Sequence, residues 1–244
     1  MIIWEIVESL SFKLNCIRKI FIKIVNERSC PKKAAFFNLI KWRMNIIDLK
    51  ISVENLDRWK FVESLYLKSF PANERQALEK IIERIEKGKI ELIIVYHQEE
   101  AIGFALIWRV KNLKSIYLEY IAVEEDYQNR GVGKELIKFL MNQLLPSEKI
   151  IAEIEDVQQG DNKRQRLKRY LFYKNLGFEK IDGLDYFLPP LDGISATKMD
   201  LIVYPAQDNL PKKYIKSVIK LLFEEVYEKS ENNLYYCKVL KSIK

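Results

Sequence analysis

Hydrophobic and polar residues recur with two different periods along this chain, and the change of period divides it into two parts. Between residues 3 and 24 apolar residues return every three or four positions, which is typical of one face of an amphipathic helix. From residue 46 onward, short apolar runs alternate with longer helical patterns. The body of the chain is therefore predicted to be α/β, of the mixed α+β kind.

The predicted elements of the body are short strands and helices bounded by turn residues. Strands are predicted at residues 46–51, 90–96, 101–110, 115–123, 149–155, 178–188 and 198–204. Helices are predicted at residues 54–70, 76–87, 132–145, 162–175 and 211–229. Because strands 90–96 and 101–110 are separated only by a short polar turn, the sheet is expected to begin as an antiparallel meander.

The positive charge of the chain is concentrated in its N-terminal part. The whole sequence has 41 basic and 34 acidic residues, a net charge of +7, and residues 1–43 hold nine of the basic and three of the acidic ones. The remaining residues carry 32 basic and 31 acidic groups, a net charge of only +1. Since tracking a phosphate backbone needs clustered surplus cations, no nucleic-acid partner is expected.

The basic N-terminal part leaves several interpretations open. Residues 1–43 are predicted to form a basic amphipathic helical extension that packs on the body or on another subunit, or that precedes a functional start at Met44. The alternative is a helix whose residues 1–30 lie on an anionic membrane surface. Charged residues interrupt every apolar run, so no transmembrane span is predicted.

The cysteines and the single histidine argue against a disulfide framework and against a metal site. Cys16, Cys30 and Cys237 are widely spaced, and His97 falls in a predicted hairpin turn. No metal is therefore expected, and a reducing, cytoplasmic location is the default.

A glycine-containing loop, residues 124–131, lies between a predicted strand and the start of a predicted helix. Gly131 and Gly133 allow close approach of an anion to the backbone, and the N-terminus of a helix carries partial positive charge. Arg130 and Lys134 add formal charge beside it. The spacing differs from that of a P-loop or a Rossmann motif, so the loop is predicted to hold a phosphate group of another kind of ligand.

Two motifs give the sequence a family resemblance. The run from Gln128 to Gly133 fits the pattern Q/R-x-x-G-x-G/A, and Tyr173, Gly177 and Phe178 match a tyrosine, glycine and phenylalanine ending of the following helix. With the order of elements over residues 45–204, the sequence resembles the GNAT superfamily of acyl-CoA-dependent N-acyltransferases. The resemblance implies a central, mostly antiparallel and splayed sheet flanked by helices. It also implies a GNAT domain at residues 44–206, followed by a C-terminal helix and tail at 207–244.

The same resemblance implies a reaction. Acetyl-CoA would be the co-substrate, and a primary amine of a small molecule or a peptide would attack it directly through a tetrahedral intermediate. The rival interpretation is a non-catalytic acyl-CoA-binding or regulatory module, recruited to a membrane or partner by the N-terminal helix. A monomer and a homodimer are both compatible with the sequence.

The resemblance also assigns roles to individual residues. The backbone of Ile121, Ala122 and Val123 would pair with the pantetheine arm of the cofactor, and Tyr173 would protonate the leaving thiolate. The alternative for Tyr173 is an aromatic residue of the core. The pyrophosphate would be held by the loop residues Gln128, Asn129, Arg130, Gly131, Val132, Gly133 and Lys134. An asparagine that is frequent in the family before the tyrosine is replaced by Arg166.

Carboxylates on two strands are candidates for receiving the proton of the amine. Strict alternation places Glu119 on the face of Ile121 and Val123, which makes it the first candidate base. Glu153 and Glu155 are the second candidates, as substrate-binding residues, with Tyr186 as part of the pocket wall. The alternatives for these carboxylates are a solvated strand face or pairing with Arg164, Arg166 or Arg169.

Overall fold

The sheet of this protein begins with the antiparallel meander that the sequence predicts. The structure is a computed structural model that describes residues 48–160, 162–207 and 210–243. The predicted N-terminal helix lies outside the described residues. The strands are β1 (Leu49–Glu54), β2 (Ile90–His97), β3 (Glu100–Val110), β4 (Ser115–Val123), β5 (Lys149–Glu155), β6 (Glu179–Lys180), β7 (Phe187–Leu188) and β8 (Thr197–Tyr204).

The strand order of the sheet is β1-β2-β3-β4-β5-β8-β6, and β7 pairs with β8 beside this path. Every pairing is antiparallel except that of β4 with β5. The parallel pair requires a crossover, which the helix between these two strands provides. The result is the mixed, mostly antiparallel sheet expected from the sequence.

Helices cover both faces of the sheet. They are α1 (Trp59–Ser69), α2 (Leu78–Glu86), α3 (Val132–Met141), α4 (Lys163–Lys174), α5 (Lys212–Lys220) and α6 (Leu234–Ser242). A π-helical turn, Leu221–Val226, continues α5. Gly88 follows α2 with a φ of +66°, the left-handed conformation in which a glycine commonly ends a helix.

The main core lies between one face of the sheet and the helices α1, α2 and α5 with the π-helical turn. Val62, Ile81, Leu92 and Phe223 are fully buried members of it. On β2 the alternate residue Ile93 is also fully buried, while α3 contacts β1, β3 and β4. Because both faces are covered, β2 and β3 are continuous apolar runs and do not alternate with polar residues.

The parallel pair β4 and β5 separates halfway along its length. Pairing joins residues 115–118 of β4 to residues 149–152 of β5 and stops there. Residues 120–123 of β4 keep their partners on β3, whereas residues 119–123 have none on the β5 side. The splay that the resemblance implies is therefore present, and it leaves one edge of β4 without backbone partners.

A β-bulge on β4 changes which way one candidate residue faces. Leu106 pairs with Tyr120 and Ile107 pairs with Leu118, so Glu119 is the extra residue between them. Strict alternation is interrupted there, and the Glu119 side chain meets Trp108, a member of the main core. The prediction that Glu119 shares the face of Ile121 and Val123 is wrong for this reason.

The last part of the chain differs from its predicted elements. The strand expected over residues 178–188 is two short pieces, β6 and β7, separated by a turn in which Gly183 has a φ of +77°. The helix expected to reach residue 229 ends in the π-helical turn, and α6 follows it. Asn233 caps α6 by accepting hydrogen bonds from the amides of Tyr235 and Tyr236.

Candidate active site

A cleft of about 710 Å³ opens where β4 and β5 separate. It is lined by the free part of β4, by the end of β5, by the loop after α1, by the glycine loop and by α4. Its lining includes Gln128 and Gly133 from the glycine loop, Tyr173 from α4, and Glu119 and Glu153 from the two strands. The splay thus brings the predicted acid, the carboxylates and part of the predicted cofactor-binding residues to one cavity. The cofactor-binding candidates that do not line it are Asn129, Arg130, Gly131, Val132 and Lys134.

The glycine loop has the backbone conformation that an anion site needs. Gly131 precedes α3 with a φ of +88°, a left-handed conformation that favours glycine. Asn129 also has a positive φ, of +59°. Among the described residues no acceptor is found for the amides of residues 129–134, since the first helical hydrogen bond that returns to the loop comes from Glu135. A series of free amides therefore meets the N-terminus of α3.

The side chains around this loop are arranged for an anion as well. Gln128 donates from Nε2 to the carbonyl oxygen of Val123 at 3.0 Å, which ties the loop to the free end of β4. Arg130 lies over the ring of Tyr127, 5.6 Å from its centroid. Arg130 and Lys134 are exposed, and neither forms an ion pair within the described parts of the chain. Both charges are free to meet a ligand.

Tyr173 lies on α4 with its ring packed between Phe172 and Phe178. The side chain is buried and lines the cleft. Burial raises the pKa of the Tyr173 hydroxyl to about 12, although Arg169 lowers it in part. The group therefore stays protonated at neutral pH and is able to donate a proton. Tyr173 is thus compatible with both interpretations of the sequence, a proton donor and an aromatic residue of the core, because its packed ring also lines the cleft.

Glu119 is held on one side only. Trp108 donates from Nε1 to Oε2 of Glu119 at 2.7 Å, and Oε1 is buried with no hydrogen-bond partner in the described structure. Burial raises the pKa of Glu119 to about 7, against the lowering effects of the Trp108 hydrogen bond and the Arg84 charge. The nearby Glu153 raises it further. A carboxyl group of this pKa exchanges protons near neutral pH.

Glu153 is surrounded by tyrosine hydroxyls. Tyr186 donates to its Oε1, and Tyr117 and Tyr227 donate to its Oε2. Burial raises the pKa of Glu153, and the three hydrogen bonds lower it. Tyr186, predicted as part of the pocket wall, is fully buried and does not line the cleft, and it contacts the cleft residue Glu153. Tyr117 and Tyr227 are not among the site residues predicted from the sequence, because nothing in the sequence distinguishes them from other tyrosines.

Glu155 forms ion pairs with arginines of α4, which is one of the alternatives that the sequence left open for it. Its Oε1 lies 2.9 Å from Nη2 of Arg166, and its Oε2 pairs with Arg169. Arg166 also donates to the carbonyl oxygens of Asp156 and Gln159, so it holds the loop between β5 and α4. Glu155 and Arg166 therefore form a structural link between β5 and α4.

Three other basic residues of α4 lie at the surface. Lys163, Arg164 and Lys168 are exposed, and no ion pair of theirs is found in residues 48–160, 162–207 and 210–243. These are the side chains of α4 that are free for a second phosphate group of a ligand.

Glu74 is a cleft residue that the sequence did not single out. It lies in a turn after α1 and lines the cleft, and burial raises its pKa to about 7. The charge of Glu155 adds to this effect, whereas Arg169 and Arg166 oppose it. Tyr120 donates to the Glu74 carbonyl oxygen at 2.9 Å and fixes the turn against β4. No sequence pattern marks this position, because it follows a helix within an irregular loop.

The described residues were also searched for a metal-binding cluster and for a membrane-spanning helix. Across the described ranges no group of three or more His, Cys, Asp or Glu residues is placed to hold a metal ion. A search of the same ranges for a helix long and apolar enough to span a membrane found none.

These features define a class of protein. A mostly antiparallel sheet that splays beside a glycine loop and a helix N-terminus is the arrangement that the sequence resemblance implies, and a solved GNAT-family acetyltransferase has a similar fold. Residues 89–180 match the family model described as the acetyltransferase (GNAT) domain. The sequence motifs and this match both point to the GNAT superfamily.

Individual relatives agree with this assignment. The chain is similar to YjbC of Bacillus subtilis (strain 168), an acetyltransferase by name, with 22% identity over 141 residues, 58% of this chain and 70% of that protein. A GNAT-family acetyltransferase of Bacteroides thetaiotaomicron has 25% identity and a TM-score of 0.63, over 74% of this chain and 99% of the other. Arabidopsis thaliana NAA60, solved with a bisubstrate analogue, has 16% identity and a TM-score of 0.50, over 64% and 97%. The last likeness concerns the fold alone.

Proposed function

We propose that this protein is an N-acetyltransferase that transfers the acetyl group of acetyl-CoA to a primary amine by direct attack. The observation that carries the proposal is the cleft at the splay. One cavity is lined by the glycine loop, by the buried hydroxyl-bearing Tyr173 and by the carboxylates Glu119 and Glu153. An anionic co-substrate and a cationic acceptor both find complementary groups there.

The co-substrate would be held by backbone groups. The free amides of residues 129–134 and the N-terminus of α3 suit its pyrophosphate. The unpaired edge of β4 at Ile121, Ala122 and Val123 suits an extended arm that carries amide groups. Arg130 and Lys134 supply the neutralising charge. When bound, acetyl-CoA supplies a thioester, which is an activated acyl group.

Glu119 is the residue that would take the proton of the amine. An ammonium group must lose a proton before its nitrogen is able to attack. The unpartnered Oε1 of Glu119 is available to accept it, and a pKa of about 7 leaves a large ionised fraction at neutral pH. Glu153 and Glu74 add negative charge to the cleft that attracts the ammonium form.

Tyr173 would donate the proton to the departing sulfur. A thiol has a pKa of about 8.5, so a proton donated to the departing sulfur lets CoA leave as the neutral thiol, which assists its departure. The Tyr173 hydroxyl is protonated at neutral pH and lines the same cleft. Its ring is held between two phenylalanines, so it needs little reorganisation.

The acceptor is proposed only as a primary amine, on a small molecule or a peptide. A cytoplasmic location and a monomeric or homodimeric state complete the proposal. The carboxylates favour an acceptor whose approaching end carries no negative charge of its own, because two like charges in a buried cleft repel.

The test is a thiol-release assay with acetyl-CoA and a panel of amines, namely 1,4-diaminobutane, tyramine, amino acid amides and a tetrapeptide with a free N-terminus. Calorimetric titration with acetyl-CoA runs in parallel. Amine-dependent release of CoA supports the proposal. Tight binding of acetyl-CoA without release on any amine supports the rival, a non-catalytic acyl-CoA-binding module. Absence of acetyl-CoA binding would overturn both.

A further inference from the structure

The carboxylate of Glu153 is held by hydroxyls from three distant parts of the chain. Tyr117 lies on β4, Tyr186 lies just before β7, and Tyr227 follows the π-helical turn. The Tyr227 hydroxyl is also 3.4 Å from the hydroxyl of Tyr117 and 3.4 Å from that of Tyr186. All four side chains are therefore parts of one network, and Tyr227 is in contact with every other member.

The position of Tyr227 is fixed by buried side chains from outside its own segment. Gln76 donates from Nε2 to the carbonyl oxygen of Val226 at 2.9 Å, and Arg84 donates from Nη2 to the same oxygen at 2.8 Å. Both donors are buried, with 7% and 5% of their surface exposed. Val226, the residue before Tyr227, is thus anchored both to the loop before α2 and to α2 itself.

The π-helical turn is the backbone feature that delivers Tyr227. π-Helical turns are rare, and those that occur are frequently found at functional sites. Here the turn spans Leu221–Val226 and closes with a 2.8 Å hydrogen bond from the Tyr227 amide to the carbonyl oxygen of Leu222. It ends at the cleft, where Tyr227 is part of the lining.

No basic side chain neutralises this carboxylate in the described ranges. Glu153 is found in no ion pair there, and neither is Glu119. The groups that face the pair are the three tyrosine hydroxyls on Glu153, and Trp108 and the charge of Arg84 on Glu119. Since hydroxyl donors stabilise the ionised form without cancelling its charge, the network prepares a negative charge for a cationic ligand group.

We propose that Tyr227 is a positioning residue for the acceptor amine: it holds Glu153 so that its carboxylate binds the ammonium end of the acceptor beside Glu119. The segment after the GNAT core thereby becomes part of the active site. This inference rests on the proposed function and adds to it a named specificity determinant outside residues 89–180, the range that the family model matches.

The inference predicts a defined effect of losing one hydroxyl. In Tyr227→Phe the ring remains, but Glu153 keeps only two of its three donors, so its ionised form is less favoured and its affinity for an ammonium group falls. A hydrogen bond to a charged group corresponds to at least about a tenfold change in affinity. We expect the KM for the best amine of the panel to rise about tenfold, with kcat changed less than threefold.

Tyr236→Phe is the matched control. Tyr236 is a buried tyrosine of the same segment, and it donates to Glu224 at 3.0 Å outside the cleft lining. Both variants are compared with the unmodified full chain in amine kinetics and in an NMR titration of ¹³C-labelled glutamate carboxyl groups. The titration reports the ionisation of Glu153, which is assigned with Glu153→Gln, and it needs no turnover.

The outcomes separate the inference from the proposed function. A higher KM for the amine and an upward shift of the Glu153 titration, both confined to Tyr227→Phe, support the inference. Equal effects of the two variants, or an active Tyr227→Phe enzyme with unchanged KM and titration, overturn it while the proposed function stands. A wild-type protein that acetylates no amine overturns the proposed function, and the acceptor role of Tyr227 with it.

Discussion

The indole nitrogen of Trp108 donates a 2.7 Å hydrogen bond to Oε2 of Glu119 across two neighbouring strands. The contact exists because the bulge on β4 places Glu119 on the same face of the sheet as Trp108. It occupies one carboxylate oxygen and leaves Oε1 buried without a partner. A strand irregularity of one residue therefore sets the orientation of the candidate base.

The first prediction concerns the pH dependence of the reaction. If Glu119 accepts the proton, kcat rises with pH through about 7, because the residue must be ionised and burial raises its pKa to about 7. Glu119→Gln should lower kcat by roughly 100-fold and abolish the rise of kcat with pH. Thiol-release rates between pH 5.5 and 9 measure both. If kcat of Glu119→Gln still rises with pH through about 7, another group is responsible for this pH dependence, and Glu74 is the first to examine.

The same pKa makes a prediction about stability. The Glu119 carboxyl binds its proton more tightly in the folded protein than its ordinary value of 4.5 allows, so stability falls as pH rises from about 4.5 to about 7. Glu119→Gln removes this loss, and we expect it to be about 1 to 2 kcal/mol more stable than the wild type at pH 8. Urea unfolding at pH 5.5 and pH 8 gives the comparison. The exposed Glu79→Gln on α2 serves as control and should show no such gain.

Tyr173 is predicted to affect turnover more than cofactor binding. Tyr173→Phe keeps the ring between Phe172 and Phe178 and removes only the hydroxyl, so kcat should fall by about 10- to 100-fold with little change in affinity for acetyl-CoA. Tyr170→Phe on the same helix is the control and should behave like the wild type. Equal kcat for Tyr173→Phe and the wild type would show that protonation of the leaving group is not limiting.

The glycine loop offers a test that separates backbone strain from ligand binding. Gly131→Glu and Gly88→Glu both place a side chain at a positive φ, of +88° and +66°, and in neither case does a neighbour lie within 4 Å of the new Cβ atom. Each should cost about 1 kcal/mol of stability. Only Gly131→Glu adds a negative charge beside the predicted pyrophosphate site, so it alone should weaken acetyl-CoA binding, by 30-fold or more in calorimetry. Similar dissociation constants for the two variants would place the cofactor elsewhere.

Much of the fold could be predicted because its patterns are local. The strand over residues 149–155 and the meander strand over 115–123 were predicted with the bounds that the structure has. Their apolar runs and the turn residues that bound them depend on neighbours in sequence. The Gln128 to Gly133 motif was likewise informative, since a strand, a loop and a helix N-terminus are consecutive.

The arrangement of the carboxylates could not be predicted in the same way. A bulge leaves no mark in the order of residues, so alternation placed Glu119 on the wrong face. The partners of Glu153 come from positions 36, 33 and 74 residues away, and their approach depends on the tertiary fold. The pairing of Glu155 was foreseen as an alternative, because arginines one helix away are common partners.

The contribution of the C-terminal elements to the core also constrains the order in which the protein can mature. Val218, Phe223 and Val239 are fully buried against the sheet, and Tyr227 completes the network around Glu153. On the ribosome, the sheet residues up to 204 are synthesised before any of these side chains exist. The part of the apolar face that these later helices cover must therefore stay exposed until they emerge, and the acidic end of the cleft is the last part of the candidate active site to form.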